Sequence, residues 1–146
     1  MIVLNKIKIY VAGTFEDKMI VKKVIKMLSD DYIITRDWTD DDGNKYEAPH
    51  YCELDRNGVI NCNVLVLINS KKISSGKMWE CGIADGLNIP IIVVGSPVTC
   101  VFRFRVKTTI STELDDISED IIKNIKISIE NVMKNKPFKF IDQTMN

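Results

Sequence analysis

Apolar residues along the chain fall into two alternating kinds of run. Short, nearly unbroken apolar stretches occupy 7–12 (Ile-Lys-Ile-Tyr-Val-Ala), 32–36, 63–68 (Asn-Val-Leu-Val-Leu-Ile) and 89–94 (Ile-Pro-Ile-Ile-Val-Val), with a looser one at 101–110. Continuous apolar runs of this length suit strands covered on both faces. Pro90 is tolerable near a strand start, and Gly13 and Gly95 end the first and fourth runs. Between them the period changes. Met19, Ile20, Val24, Ile25 and Leu28 lie three and four apart within 17–29, which predicts a helix with one apolar face. Pro49 fits the first turn of a helix over about 50–61. The turn Ser74-Ser75-Gly76 leads into a helix over about 76–87, with Trp79, Ile83 and Leu87 as the face expected on the sheet. Ser118 can cap a last helix that shares Ile121, Ile122, Ile125, Ile129 and Val132 on one side.

This alternation predicts an α/β fold, a flavodoxin-like or Rossmann-like five-stranded parallel sheet with helices on both faces. The length of 146 residues fits one domain spanning 1–146. Sheets of this kind bind ligands beyond the carboxyl ends of their strands. The segments expected at that edge are Gly13–Asp17, Asp37–Pro49, Asn69–Glu80 and Gly95–Cys100.

Composition narrows the partners. Lys plus Arg and Asp plus Glu both number 20, so the formal net charge is zero. That balance argues against a nucleic-acid polymer or an anionic membrane surface as the main partner. No uncharged stretch reaches the ~20 residues of a membrane-spanning helix, and because Lys6 and Lys8 break the opening apolar run, it is not expected to act as a signal segment. The four cysteines, Cys52, Cys62, Cys81 and Cys100, form no Cys-x-x-Cys pair, and His50 is the only histidine. No metal site is expected from that spacing. Buried or half-buried reduced thiols are, and they fit a cytoplasmic setting.

Two acids stand out as candidate chemistry. Glu80 follows the central strand and is expected near the first turn of its helix, where amide dipoles favour an ionised carboxylate by ~0.3–1 kcal/mol. The plainer alternative is a solvated first-turn acid. Asp55 shares a helix face with Tyr51 and Val59; the alternative is a rotated helix in which it pairs with Arg56, Lys45 or solvent. Two carboxylates at one sheet edge suit glycosyl transfer, in which breaking a C–N glycosidic bond builds positive charge on the sugar. Gly13, Thr14 and Phe15, after the first strand, could offer amides to a sugar oxygen or phosphate, although no Gly-x-Gly-x-x-Gly fingerprint is present. Asp37 and Trp38, with Tyr46, could stack on a base or equally form a small core of their own loop, and Trp79 is a further candidate wall or a plain core residue. Asp40-Asp41-Asp42-Gly43 reads as a solvated acidic turn. Arg103 and Arg105 read as outward-facing on an edge strand.

Several of these pieces together resemble the nucleoside 2-deoxyribosyltransferase family. They are Lys8-Ile-Tyr-Val-Ala-Gly13, Asp37-Trp38-Thr39, Asp55-Arg-Asn-Gly58-Val-Ile-Asn-Cys-Asn63, and Ser75-Gly76-Lys-Met-Trp-Glu80-Cys-Gly82-Ile-Ala84 followed by Gly86-Leu-Asn-Ile-Pro90. The resemblance covers about residues 7–95 and rests on order and spacing. It implies a nucleophilic glutamate at Glu80, a sugar-binding aspartate at Asp55, no metal or organic cofactor, and a homodimer or larger homo-oligomer with shared active sites. Where the transferases carry an aspartate, this chain has Ser74, in which it resembles the related nucleotide N-hydrolases, whose serine contacts a 5′-phosphate. Those hydrolases also carry an arginine-bearing Gly-Ser-Ile-Arg-Gly turn after the first strand, whereas here the turn is Gly13-Thr14-Phe15-Glu16-Asp17. Three readings therefore stand: a base-exchanging transferase with Gly76 also at the substrate, a nucleoside 5′-monophosphate N-hydrolase, and a nucleotide-binding sensor without catalysis.

Overall fold

The computed structural model describes residues 6–41 and 48–135. Five parallel strands make one sheet in the order β2-β1-β3-β4-β5. The strands are β1 (Lys8–Ala12), β2 (Ile33–Ile34), β3 (Val64–Asn69), β4 (Ile91–Gly95) and β5 (Val106–Ser111). The helices are α1 (Lys18–Leu28), α2 (Ala48–Ile60), α3 (Ser75–Gly86) and α4 (Glu119–Lys134). Helix α1 packs with α4, and α2 packs with α3. Right-handed crossovers put these pairs on opposite faces, because the chain steps one way from β1 to β2 and the other way from β2 onward.

Every residue of the central strands β3 and β4 is buried. This burial explains their unbroken apolar run: no strand face is left to alternate toward water. Val21, Val24, Ile25 and Leu28 of α1 and Ile122, Ile125 and Ile129 of α4 close one face. Ser118 caps α4 by accepting from the Ile121 amide, and Tyr32 donates to Glu130 on that helix at 3.0 Å. Among the described residues, no helix is long and apolar enough to cross a membrane.

The sequence expectations need correction at three elements. Strand β2 is only Ile33–Ile34, shorter than the expected 32–36, and it pairs with β1 alone at the sheet edge. Residues 101–110 do not form one strand. Val101–Arg105 make a 3-10 turn and β5 begins at Val106. Arg103 and Arg105 therefore sit on that turn rather than on an edge strand, with Arg105 paired to Asp85 at 2.7 Å and Arg103 donating to the Thr99 carbonyl. In α3 the buried residues are Lys77, Glu80, Cys81 and Ala84, whereas Trp79 and Leu87 are exposed. Ala84 lets the helix lie close to the sheet; of the expected stripe, Ile83 packs against the core, whereas Trp79 and Leu87 point outward. Of the thiols, Cys62 and Cys81 are buried, but Cys52 and Cys100 are exposed.

Candidate active site

The strand order reverses between β1 and β3, which makes the carboxyl ends of these strands the switch point of the sheet. Ligands of open α/β sheets bind at such a point. A cleft of about 260 Å³, open to solvent, lies here, slightly under the roughly 300–1,000 Å³ usual for small-molecule sites. Gly13 and Phe15 line it from the turn after β1, and Trp38 and Asp41 from the loop after β2. Tyr51 and Asp55 come from α2, and Ser74, Gly76, Lys77 and Glu80 from the start of α3.

Each wall has a local cause. Gly13 has no room for a side chain, since a Cβ there would stand 2.7 Å from Val21 on α1. The turn that follows is engaged rather than open. Thr14 Oγ1 donates to Asp17 at 2.8 Å, and Asp17 also accepts from Ser70 at 2.5 Å and Lys72 at 3.2 Å. Burial pushes the Asp17 pKa upward, but these hydroxyls and Lys72 outweigh it and the pKa is lowered. The loops after β1 and β3 are thus stitched together. Thr14 is buried in this stitch and is not among the cleft-lining residues.

Trp38 is buried, and its indole Nε1 donates to the Val11 carbonyl at 2.8 Å. The Ile9 carbonyl on the same edge of β1 accepts from the Thr35 amide. Where β2 ends, the indole takes over the role of the missing strand neighbour. Asp37 turns back on its own loop and accepts from the Thr39 amide and hydroxyl, so it does not line the cleft. Asp41, expected in a solvated acidic turn, is mostly buried and paired with Arg36. Asp42, Gly43, Lys45 and Tyr46 lie outside the described residues. Trp79, half-exposed on the outer side of α3, is not a cleft wall.

Asp55 points into the cleft rather than to Arg56, and its partner is Arg36, whose Nε donates to Oδ1 at 3.2 Å. Burial raises the Asp55 pKa, Arg36 pulls it back, and Asp41 adds to the rise. Helix α2 can sit this low because Gly58 has no side chain. A Cβ there would stand 2.6 Å from Arg36 Cβ and 3.0 Å from the Tyr10 ring.

Glu80 is the sixth residue of α3 and is 8% exposed, so it is neither a first-turn nor a solvated acid. Ser74 caps the helix through the Lys77 amide at 3.4 Å. Burial, then the charge of Asp55, pushes the Glu80 pKa up to about 8, while the Tyr10 hydroxyl works in the opposite direction. That hydroxyl is directed at Glu80, yet neither it nor Glu80 Oε2 makes a hydrogen bond of full geometry. With its pKa raised to about 8, Glu80 favours the neutral form near pH 7, against the expectation of a dipole-stabilised anion. A dipole contribution of ~0.3–1 kcal/mol is outweighed by the cost of burying a charge.

Tyr10, Arg36, Asp41, Tyr51 and Lys77 were not singled out by sequence. Lys77 is the least expected. It lines the cleft but is 4% exposed, and its ammonium donates to the Lys72 carbonyl at 2.8 Å and the Ser70 carbonyl at 3.3 Å. Burial lowers its pKa. Its place three residues before Glu80, on the same helix face, was the available signal. Among the described residues, no group of acids, histidines and cysteines is arranged to hold a metal ion.

The fold is a doubly wound α/β sheet of flavodoxin-like strand order, with its cleft at the switch point. No family model and no curated protein matches the chain by sequence. Among solved structures it is similar to Clostridium botulinum CMP N-glycosidase, BcmB, with a TM-score of 0.59 and 15% identity. The match covers 82% of this chain and 98% of that one. At that identity the likeness is one of fold.

Proposed function

We propose that this chain cleaves the N-glycosidic bond of a nucleoside or nucleotide in the cleft, with Glu80 meeting the anomeric carbon and Asp55 holding the sugar. The observation that carries the reading is the convergence of the two acids. They stand on different helices and line one cleft at the sheet's switch point, and the charge of Asp55 raises the pKa of Glu80. Supporting it, the neighbour of like fold is a CMP N-glycosidase.

In this reading Glu80 gives up its proton to solvent as positive charge develops on the sugar, and takes one back after turnover. The C1′–N bond breaks, its electron pair leaves with the base, and a Glu80 oxygen bonds to C1′. Water protonates the departing base. Attack at C1′ by hydroxide, or by a second base, then releases Glu80 as a carboxylate. The first outcome is hydrolysis and the second is transfer. Asp55, whose upward shift Arg36 restrains, accepts from a sugar hydroxyl. Gly13 and Phe15 line the sugar side and Trp38 the base side, while Ser74 and Gly76 open the helix end toward any 5′-substituent.

Hydrolysis of a 5′-monophosphate is the second reading. It is favoured by Ser74 in the cleft wall, by the buried cation Lys77 beside it, and by the neighbour's nucleotide substrate. The acidic turn Glu16-Asp17 counts against it.

Chromatography of reactions with deoxynucleosides, ribonucleosides and their monophosphates, with and without a second free base, tests the proposal. Exchanged base marks a transferase, and free base from monophosphates alone marks the hydrolase. Absence of free or exchanged base from every substrate, with binding unchanged in Glu80→Ala, would leave a sensor and sink the enzymatic reading.

A further inference from the structure

Arg36 is the most heavily committed cation near the cleft, yet it is not one of the cleft-lining residues. It lies just past the end of β2. Its Nη2 donates to both oxygens of Asp41 at 2.7 and 2.6 Å, its Nε to Asp55 Oδ1 at 3.2 Å, and its Nη1 to the Asp37 carbonyl at 3.3 Å. Its guanidinium carbon lies 5.9 Å from the centre of the Tyr51 ring. The side chains of Arg36, Asp41 and Asp55 are 16%, 15% and 21% exposed, so these are not loose surface pairs. The root of Arg36 fills the space that Gly58 leaves beneath α2, and the neighbouring Thr35 hydroxyl donates to the Gly58 carbonyl at 2.7 Å. A planar fork engages two carboxylates and a carbonyl in fixed directions, which an ammonium, a compact charge with freely rotating donors, does not impose.

We propose that Arg36 is the positioning residue of the cleft: by spanning Asp41 and Asp55 it fixes the Asp55 carboxylate in orientation and charge, so that a sugar hydroxyl meets an anion there. This rests on the proposed reading of the cleft. The groups around Asp55 are Tyr10 from β1, Arg36 and Asp41 from the loop after β2, Tyr51 from its own helix, and Glu80 from α3. Among the described residues, Arg36 is the cation that acts on Asp55, while Lys77, which also lines the cleft, donates to the Ser70 and Lys72 carbonyls. Two carboxylates share Arg36, so the cluster retains negative charge, and this charge also acts on Glu80.

The test is a carboxyl-carbon NMR titration of Asp55 and Glu80 in the full chain, wild type against Arg36→Met and Arg36→Lys, with kcat and KM measured from pH 5 to 9. In Arg36→Met the Asp55 midpoint should rise by about one pH unit or more, and kcat/KM at pH 7 should fall about tenfold or more. Arg36→Lys keeps the charge without the fork. It should restore most of the Asp55 midpoint while leaving kcat/KM depressed. An unchanged Asp55 midpoint in folded Arg36→Met overturns the assignment. Should that variant not fold, a kcat/KM in Arg36→Lys equal to wild type overturns it instead. A wild-type protein that cleaves no glycosidic bond sinks the functional reading alone, because the titration still judges Arg36.

Discussion

Asp55 and Glu80 belong to neighbouring helices and line one cleft, and Glu80 feels the charge of Asp55 across it: after burial itself, that charge is the main reason that the Glu80 pKa is raised. Burial also raises Asp55, but Arg36 restrains that rise; for Glu80 the restraint comes from the Tyr10 hydroxyl. Two acids with different proton affinities in one hollow are a recurring arrangement in acid–base and glycosyl-transfer chemistry.

Replacing Asp55 with asparagine removes the charge and keeps the shape. The Glu80 midpoint should then fall below about 8, and kcat/KM should drop by roughly 10–100-fold as sugar orientation is lost. The first effect is read by carboxyl NMR and the second by base release. A Glu80 midpoint that does not move would show that the two acids are uncoupled.

Glu80→Gln should reduce cleavage by at least about 10²–10⁴-fold while leaving the protein folded. Its stability effect has a definite sign. Glu80 has an ordinary value of 4.5 and a folded value of about 8. Between those pH values the folded state holds a proton that the unfolded chain has released. Wild-type stability therefore falls as pH rises from about 4.5 to about 8. The glutamine variant should lack this component, so its advantage over wild type should grow across that window, to the order of a few kcal/mol. Urea unfolding at pH 5 and pH 8 measures it.

A nucleophile must be ionised, so kcat/KM should climb with pH toward a plateau, its limb set by free Glu80 near 8. The limb of kcat should lie lower, since positive charge on the bound sugar favours the anion. A kcat/KM that instead falls through this region would recast Glu80 as a proton donor.

Gly58→Ala tests how α2 is seated. The new methyl would collide with Arg36 Cβ at 2.6 Å and the Tyr10 ring at 3.0 Å, neither of which is the free end of a flexible chain. Destabilisation of about 1–3 kcal/mol is expected, together with weakened cleavage, because a lifted α2 carries Asp55 away. Thermal melts and kinetics on one preparation decide this.

Trp38→Phe should cost about 1–3 kcal/mol by leaving the buried Val11 carbonyl without its donor. A melting temperature equal to wild type would show that another group, or water, replaces the indole.

The strands and helices were legible because their two apolar periods differ so plainly, as β3 and α1 show. The cleft was legible as a place, since strand alternation locates the switch point, and Gly13, Phe15, Trp38, Asp55, Ser74, Gly76 and Glu80 do line one hollow there. What sequence could not show was direction. Trp79 reads as the natural core residue of α3, yet that helix is turned so that Lys77 and Glu80 are inside. A helical period ranks faces by hydrophobicity, and a buried functional face is polar. Asp41 reads as solvent-facing because its cation, Arg36, stands five residues earlier and reaches it only once β2 has ended. Asp37 and Thr14 kept their places at the edge but spend their side chains on their own turns.

The neutral Glu80 has a thermodynamic signature of its own. A cleft that rests protonated must shed hydrogen ion whenever a guest brings positive charge beside that carboxyl. Calorimetric heats for a cationic sugar mimic should therefore vary with the ionisation enthalpy of the buffer, and an unbuffered solution at neutral pH should acidify as the complex forms.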